Sequence, residues 1–420
     1  MKFPGHHFLL GLFAWWFLVG SQEISAFQKA YVTDYSDDAI TVIDVATNTV
    51  VVPQITVGTN PISLCITPDG TKAYVVNQGD NNVSVVNVAT NAIVTSIAVG
   101  SFPLGIAVTP NGAKVYVVNN GDSTVSVINT ATNTVVGIPI VVGLNPARLA
   151  ITPDGTEVYV TNQSDNTVSI IDVSTDTVTL PVITVGSSPD GVAVTPNGAK
   201  VYVVNSLDNT VSVISTGSNT VIATITSVGN DPGSLAITPD GDFVYVNSTG
   251  DDTVLIINTA TDAIVSPTIS VGAFPNAITI DPDGSKAYVG NLFDASISVI
   301  NLVNNTVTTT IDNGNGPSGI AFTVAVAIPA PASSFTGSVI KIRFLTQTDR
   351  VHRLVWTPSA DPTVVGYHLY RNGVLIFTTG ASGPFIYKDH NRNSAVVDTY
   401  TLLSYNASEI ESVPLTVSLE

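Results

Sequence analysis

The sequence has little cysteine and little charge. Cys65 is the single cysteine, so no disulfide can form within the chain. Charged residues make up 11% of the 420 positions and hydrophobic residues 44%, a balance that favours strands buried on both faces. Lysine and arginine are scarce enough to leave a net charge of −18. Because an acidic surface repels phosphate, we expect no nucleic-acid partner.

Histidine is absent from most of the chain. The region from residue 29 to 328 has no histidine, no CxxC pair and one glutamate, Glu157. Histidine is the commonest general base and the commonest metal ligand in proteins. The sequence therefore predicts no catalytic residue, no metal site and no cofactor in this region. The absence of a CxxCH motif also argues against a haem-bearing electron-transfer protein.

Long apolar runs are also missing, apart from one near the N-terminus. Phe8–Val19 is apolar over 12 residues, which is short for a membrane span because a span needs about 20. Lys2 precedes this run, and polar residues ending at the small Ala26 follow it. The pattern predicts a secretory signal peptide at 1–26, with export to a periplasm, the cell surface or the medium. An uncleaved membrane anchor is the alternative.

A repeating unit of 42 to 43 residues fills most of the remaining chain. The copy Lys114–Gly155 holds four strand-like runs rich in valine, isoleucine and threonine, separated by turns rich in glycine, asparagine and proline. Four short strands in a unit of this length are typical of a β-propeller blade. We therefore predict an all-β, seven-bladed propeller over 29–324. The copies begin at Lys29, Lys72, Lys114, Glu157, Lys200, Phe243 and Lys286.

Two features predict where each strand lies in a blade. The third run carries a proline in four copies, which favours an outer edge strand because proline cannot donate to a ladder. The fourth run has a small residue at its centre, which suits the crowded axis. Each copy should then supply three outer strands of one blade and the inner strand of the next, so that 29–58 and 317–324 close the ring. The prolines are Pro53, Pro139, Pro181 and Pro267, and the small residues are Cys65, Ala107, Ala150, Ala193, Ala236, Thr279 and Ala321.

One tetrapeptide carries a family resemblance. Tyr159–Asn162 spells YVTN, and YVVN begins at Tyr74, Tyr116 and Tyr202. With the DNTVSIID and TPDG motifs, these copies resemble the YVTN family of β-propeller repeats, which occurs in exported and surface-layer proteins of bacteria and archaea. The resemblance implies the fold more firmly than any activity. Two copies depart from it, with Asp34 and Ser248 in place of the asparagine.

Functional residues are expected where the repeat is broken, because a feature present in every copy is most simply structural. The loops that lead into the inner strands vary most: Phe102 and Phe274 offer apolar contacts there, and Asp190 and Asp231 add charge. Arg148 stands where the other copies have serine, glycine or alanine. A lone arginine near the axis suits an anionic group. It could instead fill the channel and pair with Asp190, Asp231 or backbone carbonyls.

The C-terminal part differs in composition from the repeats. Residues 325–334 are rich in alanine and proline, which predicts a semi-rigid linker. In 335–420, Trp356, Tyr367 and Tyr400 match the core pattern of fibronectin type III domains, which this part resembles, and Asn372-Gly373 predicts a hairpin turn. The resemblance implies a small β-sandwich that acts as a spacer or adhesion module, without catalytic residues.

Two functions from different classes remain open. The first is an exported, non-enzymatic binding or structural protein, whose propeller presents a loop rim to a protein or glycan of the cell envelope or surface. The alternative is a lactonase-like hydrolase or lyase that uses aspartate and asparagine at the central channel, with calcium as a further component. The scarcity of histidine and glutamate in the repeats favours the first function and predicts that the chain is not an enzyme.

Overall fold

A computed structural model of the protein describes residues 28–51, 54–313, 316–323, 331–343, 348–361, 363–383, 385–390, 396–406, 411–412 and 414–419. The predicted signal peptide at 1–26, Pro53 and residues 325–330 of the predicted linker lie outside these ranges. The described residues up to 323 belong to one compact unit, and those from 331 onward belong to another. Within these ranges, no helix has the length and apolar character to cross a membrane.

The first unit is built from β-strands alone in its described parts. Its strands are β1 (Lys29–Asp34), β2 (Ala39–Asp44), β3 (Thr49–Val50), β4 (Ile55–Thr56), β5 (Pro61–Ile66), β6 (Lys72–Asn77), β7 (Asn82–Asn87), β8 (Ala92–Ala98), β9 (Pro103–Val108), β10 (Lys114–Asn119), β11 (Thr124–Asn129), β12 (Thr134–Val141), β13 (Pro146–Ile151), β14 (Glu157–Asn162), β15 (Thr167–Asp172), β16 (Thr177–Thr184), β17 (Pro189–Val194), β18 (Lys200–Asn205), β19 (Thr210–Ser215), β20 (Thr220–Thr226), β21 (Pro232–Ile237), β22 (Phe243–Ser248), β23 (Thr253–Asn258), β24 (Ala263–Ser270), β25 (Pro275–Ile280), β26 (Lys286–Asn291), β27 (Ser296–Asn301), β28 (Thr306–Asp312) and β29 (Pro317–Phe322).

These strands form seven antiparallel sheets, which are the blades of a propeller. Blade 1 contains β29, β1, β2 and β3, with β4 also paired to β2. Blades 2 to 7 take the next strands four at a time, from β5–β8 to β25–β28. The innermost strand is β29 in blade 1 and the first strand of each set of four in blades 2 to 7. These seven inner strands contact one another in a closed circle. The prediction of an all-β, seven-bladed propeller is confirmed.

Blade 1 joins the two ends of the array. Its inner strand β29 pairs with β1, so that Ala321 lies opposite Tyr31 and Gly319 opposite Thr33. The Lys29 backbone N–H also donates to the Thr323 hydroxyl at 2.9 Å. The edge of β1 is therefore paired, and does not remain free to pair with another chain.

The outer strands tolerate proline because each forms a ladder on one side only. Pro139, Pro181 and Pro267 lie in β12, β16 and β24, each of which pairs with a single neighbour. In all three strands the pairing register shifts where the proline occurs. A β-bulge on an edge strand is a position that can accommodate a residue without a backbone N–H.

A tyrosine in every blade ties that blade to the next one. Each is buried in the second strand of its blade, and its hydroxyl donates to an asparagine or aspartate in a turn of the following blade at 2.5 to 2.7 Å. The pairs continue around the circle, because Tyr288 of blade 7 reaches Asn48 of blade 1. The pairs are Tyr31–Asn91, Tyr74–Asn133, Tyr116–Asp176, Tyr159–Asn219, Tyr202–Asp262, Tyr245–Asn305 and Tyr288–Asn48.

A repeated asparagine ends the second strand of most blades, and its side chain supports the loop that leads into the inner strand. In blade 3 the Asn119 side chain accepts from the Gly100 N–H at 3.1 Å and donates to the Ser126 hydroxyl at 2.9 Å. The Gly100 N–H is partly removed from water and therefore needs a partner, which this side chain provides. The same arrangement recurs at Asn77 and Asn205.

Blade 1 replaces this asparagine with a buried carboxylate. Asp34 has no exposed surface, and its side chain accepts from Thr41 at 2.6 Å, from Gln54 at 3.2 Å and from the Asn313 amide. Burial, assisted by the charge of Asp37, raises the pKa of Asp34 to about 7 despite these donors. Asn313 is itself a deviation, because the six other copies have valine there. Those valines are Val57, Val99, Val142, Val185, Val228 and Val271.

The second unit contains two sheets around a shared core. Its strands are β30 (Ser334–Arg343), β31 (Thr348–Thr357), β32 (Val364–Arg371), β33 (Val374–Gly380), β34 (Ile386–Asp389), β35 (Asp398–Asn406) and β36 (Leu415–Leu419). One sheet has the order β30-β31-β34 and the other β33-β32-β35-β36. Leu354, Trp356, Tyr367 and Tyr400 pack together in the core, as in a β-sandwich. Asn372 and Gly373, with φ of 50° and 80°, form the hairpin turn between β32 and β33.

Candidate functional site

Two charged side chains meet where blades 4 and 5 adjoin at the axis. Arg148 lies on the inner strand β13 and Asp190 on the inner strand β17, and these strands contact each other. The Arg148 Nε lies 3.7 Å from Asp190 Oδ1, and the two side chains are 24% and 27% exposed. The pair is therefore mostly enclosed by protein but remains in contact with solvent.

The packing of the inner strands explains why Arg148 is unusual. A Cβ atom added at Gly105 would lie 2.9 Å from the Ala147 carbonyl oxygen on the next blade, and one added at Gly191 would lie 2.6 Å from the Gly233 carbonyl oxygen. This position thus faces the backbone of the following blade and is small in six copies. Arg148 is the exception, and its guanidinium reaches the Asp190 carboxylate of the following blade.

The surroundings of Asp190 raise its pKa. Burial is the largest cause, because removal from water disfavours the charged carboxylate. The Arg148 guanidinium opposes this change, and the negative charge of Asp231 adds to it. The net direction is upward from the ordinary value, so Asp190 can exchange a proton closer to neutral pH than a solvated aspartate.

Asp231 lies on the rim beside this pair. It belongs to the loop that leads into the inner strand β21 of blade 6, and it is exposed. Its backbone N–H donates to Asn209 at 3.0 Å, and its carbonyl accepts from the Thr249 N–H at 3.1 Å. Its backbone is therefore fixed while its carboxylate influences Asp190 through charge.

The two candidate phenylalanines lie on other blades. Phe102 is 52% exposed in the loop that leads into β9 of blade 3. Phe274 lies in the corresponding loop of blade 7 and stacks on Phe293, with ring centroids 4.3 Å apart. Neither belongs to the Arg148–Asp190 pair. Phe293 was not among the residues expected from the sequence, although its position holds glycine in copies two, three and six, at Gly79, Gly121 and Gly250.

Thr161 is a further residue of the site that the sequence reasoning missed. Its hydroxyl donates to the Asp190 carbonyl at 2.9 Å and accepts from the Arg148 N–H at 3.1 Å. It is fully buried. A signal was present in the sequence, because Thr161 distinguishes YVTN from the YVVN of three other copies.

One groove elsewhere in the propeller offers less chemistry. A groove of about 460 Å³, lined by residues of blade 5 and by 184–186 at the end of blade 4, has Asp208 as its one titratable lining residue. That carboxylate already accepts from the Ser187 N–H at 2.6 Å. In the ranges that the structure describes, no three histidine, cysteine, aspartate or glutamate side chains are grouped to hold a metal. The Arg148–Asp190 pair is therefore the candidate site.

Solved structures resemble the chain at low sequence identity. Hydrazine synthase of Kuenenia stuttgartiensis is 24% identical with a TM-score of 0.59, over 64% of this chain and 91% of its own. A functionally unknown protein of Desulfotomaculum acetoxidans DSM 771 is 18% identical with a TM-score of 0.63, over 70% and 98%. A candidate 6-phosphogluconolactonase of Bacteroides uniformis ATCC 8492 is 19% identical with a TM-score of 0.61, over 70% and 99%. At these identities the likeness shows the fold alone. No curated protein matches the sequence.

The family comparison corrects the functional expectation. Residues 99–184 and 181–320 match the family described as "Lactonase, 7-bladed beta-propeller". The expectations of a non-enzymatic binding or structural protein, and of a chain that is not an enzyme, are therefore wrong. They relied on the absence of histidine, but an enclosed aspartate with a raised pKa can also accept a proton. Because the two matched segments together span 99–320, more than half of the 420 residues, the chain belongs to the seven-bladed β-propeller lactonase family.

Proposed function

We propose that the chain is a hydrolase that opens a lactone, which is a cyclic ester, at the Arg148–Asp190 pair. The observation that carries this proposal is the 3.7 Å approach of a guanidinium to an enclosed carboxylate that solvent still reaches. Ester hydrolysis needs a group that removes a proton from water and a positive group beside the developing negative oxygen. The pair supplies both groups at adjacent points of the channel wall.

Asp190 acts as the general base in this proposal. Its carboxylate accepts a proton from a water molecule as the water oxygen forms a bond to the lactone carbonyl carbon. The carbonyl π electrons move to the oxygen, which becomes negatively charged. When this intermediate collapses, the bond between the carbonyl carbon and the ring oxygen breaks. Asp190 returns the proton to the released ring oxygen, and the product is a hydroxy acid that ionises to a carboxylate.

Arg148 binds the negative oxygen and then the product carboxylate. Its guanidinium is planar, always charged and suited to paired oxygens. It is the only arginine between residues 29 and 323. The lysines Lys72, Lys114, Lys200 and Lys286 each bond to backbone or side-chain oxygens in turns between blades instead. On the seven inner strands of the described propeller, Arg148 is the one basic residue.

A lactone panel with the variant Arg148→Ala tests this function. The full chain should hydrolyse at least one γ- or δ-lactone, measured by acid release at constant pH. Arg148→Ala should weaken binding of the hydroxy acid product by about 10- to 100-fold in calorimetry, because a hydrogen bond to a charged group contributes roughly 1.5–3 kcal/mol. Absence of hydrolysis across the panel, or wild-type product affinity in the variant, would contradict the proposal. Lys114→Ala, which removes a lysine of blade 3 that pairs with Asp176 at 2.8 Å, is the control for lost positive charge.

We further propose that the protein is exported and attached to the cell envelope. The apolar run at Phe8–Val19 supports export, and the YVTN resemblance of the repeats is with exported and surface-layer proteins. The seven strands of the second unit, in sheets of three and four, support a fibronectin type III-like module. This module would contact a protein or glycan of the envelope. N-terminal sequencing of protein recovered outside the cytoplasm should begin after Ala26; a sequence that begins at Met1 would contradict cleavage.

A further inference from the structure

One position in the second strand of each blade separates the blades into two groups. It precedes the strand-ending residue and is apolar or glycine in four copies and polar in three. The apolar or glycine residues are Val76, Val118, Val204 and Gly290, and the polar ones are Thr33, Thr161 and Asn247. The three polar side chains have no exposed surface, so each must find its hydrogen-bond partners inside the ring.

In blades 1 and 6 the polar residue helps to join two inner strands. The Thr33 hydroxyl bonds to Ser318 at 2.9 Å, and Ser318 donates to the Pro61 carbonyl of blade 2 at 2.8 Å. Asn247 accepts from the Ser234 N–H and donates to the Pro275 carbonyl of blade 7, both at 2.6 Å. The polar residue at this position therefore takes part in hydrogen bonds that join one inner strand to the next.

In blade 4 the two inner strands joined in this way are those that carry the candidate site. Thr161 accepts from the backbone N–H of Arg148 on β13 and donates to the backbone carbonyl of Asp190 on β17. Both bonds are made to the backbone of the functional residues themselves. A valine at this position would fill a similar space and leave that N–H and that carbonyl without this partner.

We propose that Thr161 is a positioning residue, which holds the strands β13 and β17 in the register that brings Arg148 and Asp190 together. This inference rests on the proposed lactone hydrolysis. Thr161 touches neither reacting group directly and acts only through the two backbones. Preorganised placement of charged groups is a large part of enzymatic rate enhancement, and small misplacements reduce the rate strongly.

The test compares Thr161→Val and Thr161→Ser with Thr33→Val. Valine occurs at this position in blades 2, 3 and 5, so Thr161→Val should fold. We expect its kcat to fall at least 10-fold with KM changed less than 3-fold. The acid limb of its pH–rate profile should also move to higher pH, because Asp190 loses the nearby positive charge of Arg148 while the negative charge of Asp231 remains. Thr161→Ser, which retains the hydroxyl, should keep the wild-type values. Thr33→Val removes the equivalent hydroxyl in blade 1 and should leave kcat and the pH profile unchanged.

A measurement that does not need turnover separates this inference from the proposed function. Carboxyl ¹³C NMR of the labelled full chain, with Asp190→Asn for assignment, reports the titration of Asp190 directly. An upward displacement of that titration in Thr161→Val supports positioning, even where no lactone in the panel is hydrolysed. An Asp190 titration equal to that of the wild type in Thr161→Val would overturn the inference, as would an equal loss of kcat in Thr33→Val.

Discussion

Asp190→Asn is expected to reduce kcat/KM for lactone hydrolysis by about 10²- to 10⁴-fold, which is the usual contribution of a general base. Asparagine has nearly the same shape as aspartate but cannot accept a proton from water. The variant should keep the fold, because the side chain contacts solvent and its ion pair with Arg148 is a long 3.7 Å. Initial rates across pH, together with circular dichroism, check both expectations.

The rate of lactone hydrolysis is expected to decrease at low pH. Protonated Asp190 cannot act as a base, so the rate should fall as the pH decreases through the pKa of Asp190, which lies above the ordinary value for aspartate.

Asp231→Asn is the matched control, since asparagine occupies the same loop position at Asn60 and Asn145. It removes a charge that raises this pKa. Its acid limb should therefore move to lower pH while the maximal rate is preserved. Activity retained in Asp190→Asn would exclude Asp190 as the base.

Asp34→Asn is expected to stabilise the propeller by about 4 kcal/mol at pH 8. Asp34 is fully buried in blade 1, and its pKa is raised from 3.8 to about 7. At 1.36 kcal/mol per pKa unit, a difference of about three units corresponds to roughly 4 kcal/mol. Asparagine already occupies the equivalent position in blades 2 to 5 and 7, where it donates to the hydroxyl that corresponds to Thr41.

The raised pKa of Asp34 also determines the direction in which the free energy of unfolding changes with pH. The folded protein binds the Asp34 proton more tightly than the unfolded chain does, so this residue does not reduce stability below about pH 4. The free energy of unfolding should decrease from about pH 4 to about pH 7 and then level off. Asp34→Asn should remove this component. Urea unfolding at pH 5 and pH 8, followed by circular dichroism, measures both changes. A variant less stable than the wild type at pH 8 would refute the expectation.

Asn313 offers a second test of the expected cost of the buried Asp34 charge. Its amide donates to Asp34, whereas six other copies have valine there. Asn313→Val alone should destabilise the wild type, because it removes a donor from a buried carboxylate. The same change should cost less in the Asp34→Asn background, where no buried charge remains. A double-mutant cycle with no coupling would show that the two deviations are independent.

The repeat made the fold predictable. The position of proline indicated the outer strands, and the small residues from Cys65 to Ala321 indicated the inner ones, because edge pairing and crowding at an axis each select a narrow set of residues. Contacts between copies were harder to foresee. The approach of Arg148 to Asp190 joins residues 42 positions apart on adjacent blades, and it depends on how two separate sheets pack.

The functional residues were only partly foreseeable for a physical reason. Arg148 was visible because it replaces small residues, but its partner was one of several aspartates and carbonyls. Thr161 was overlooked because a threonine in a strand is ordinary, and its importance lies in bonds to two backbones. The absence of histidine led to the wrong conclusion about catalysis, since the proton affinity of Asp190 depends on its enclosure by neighbouring strands.

The pairing of β1 with β29 has a consequence for how the chain folds. Tyr31 and Ala321 are neighbours in one sheet although about 290 residues separate them in the chain. Closing a loop of that length costs roughly 3 kcal/mol more entropy than closing a ten-residue hairpin. During synthesis, β1 must also wait for its inner neighbour until six other blades have been made. The outer strands of blade 1 are then the first part of the propeller to be translated and among the last to be completed.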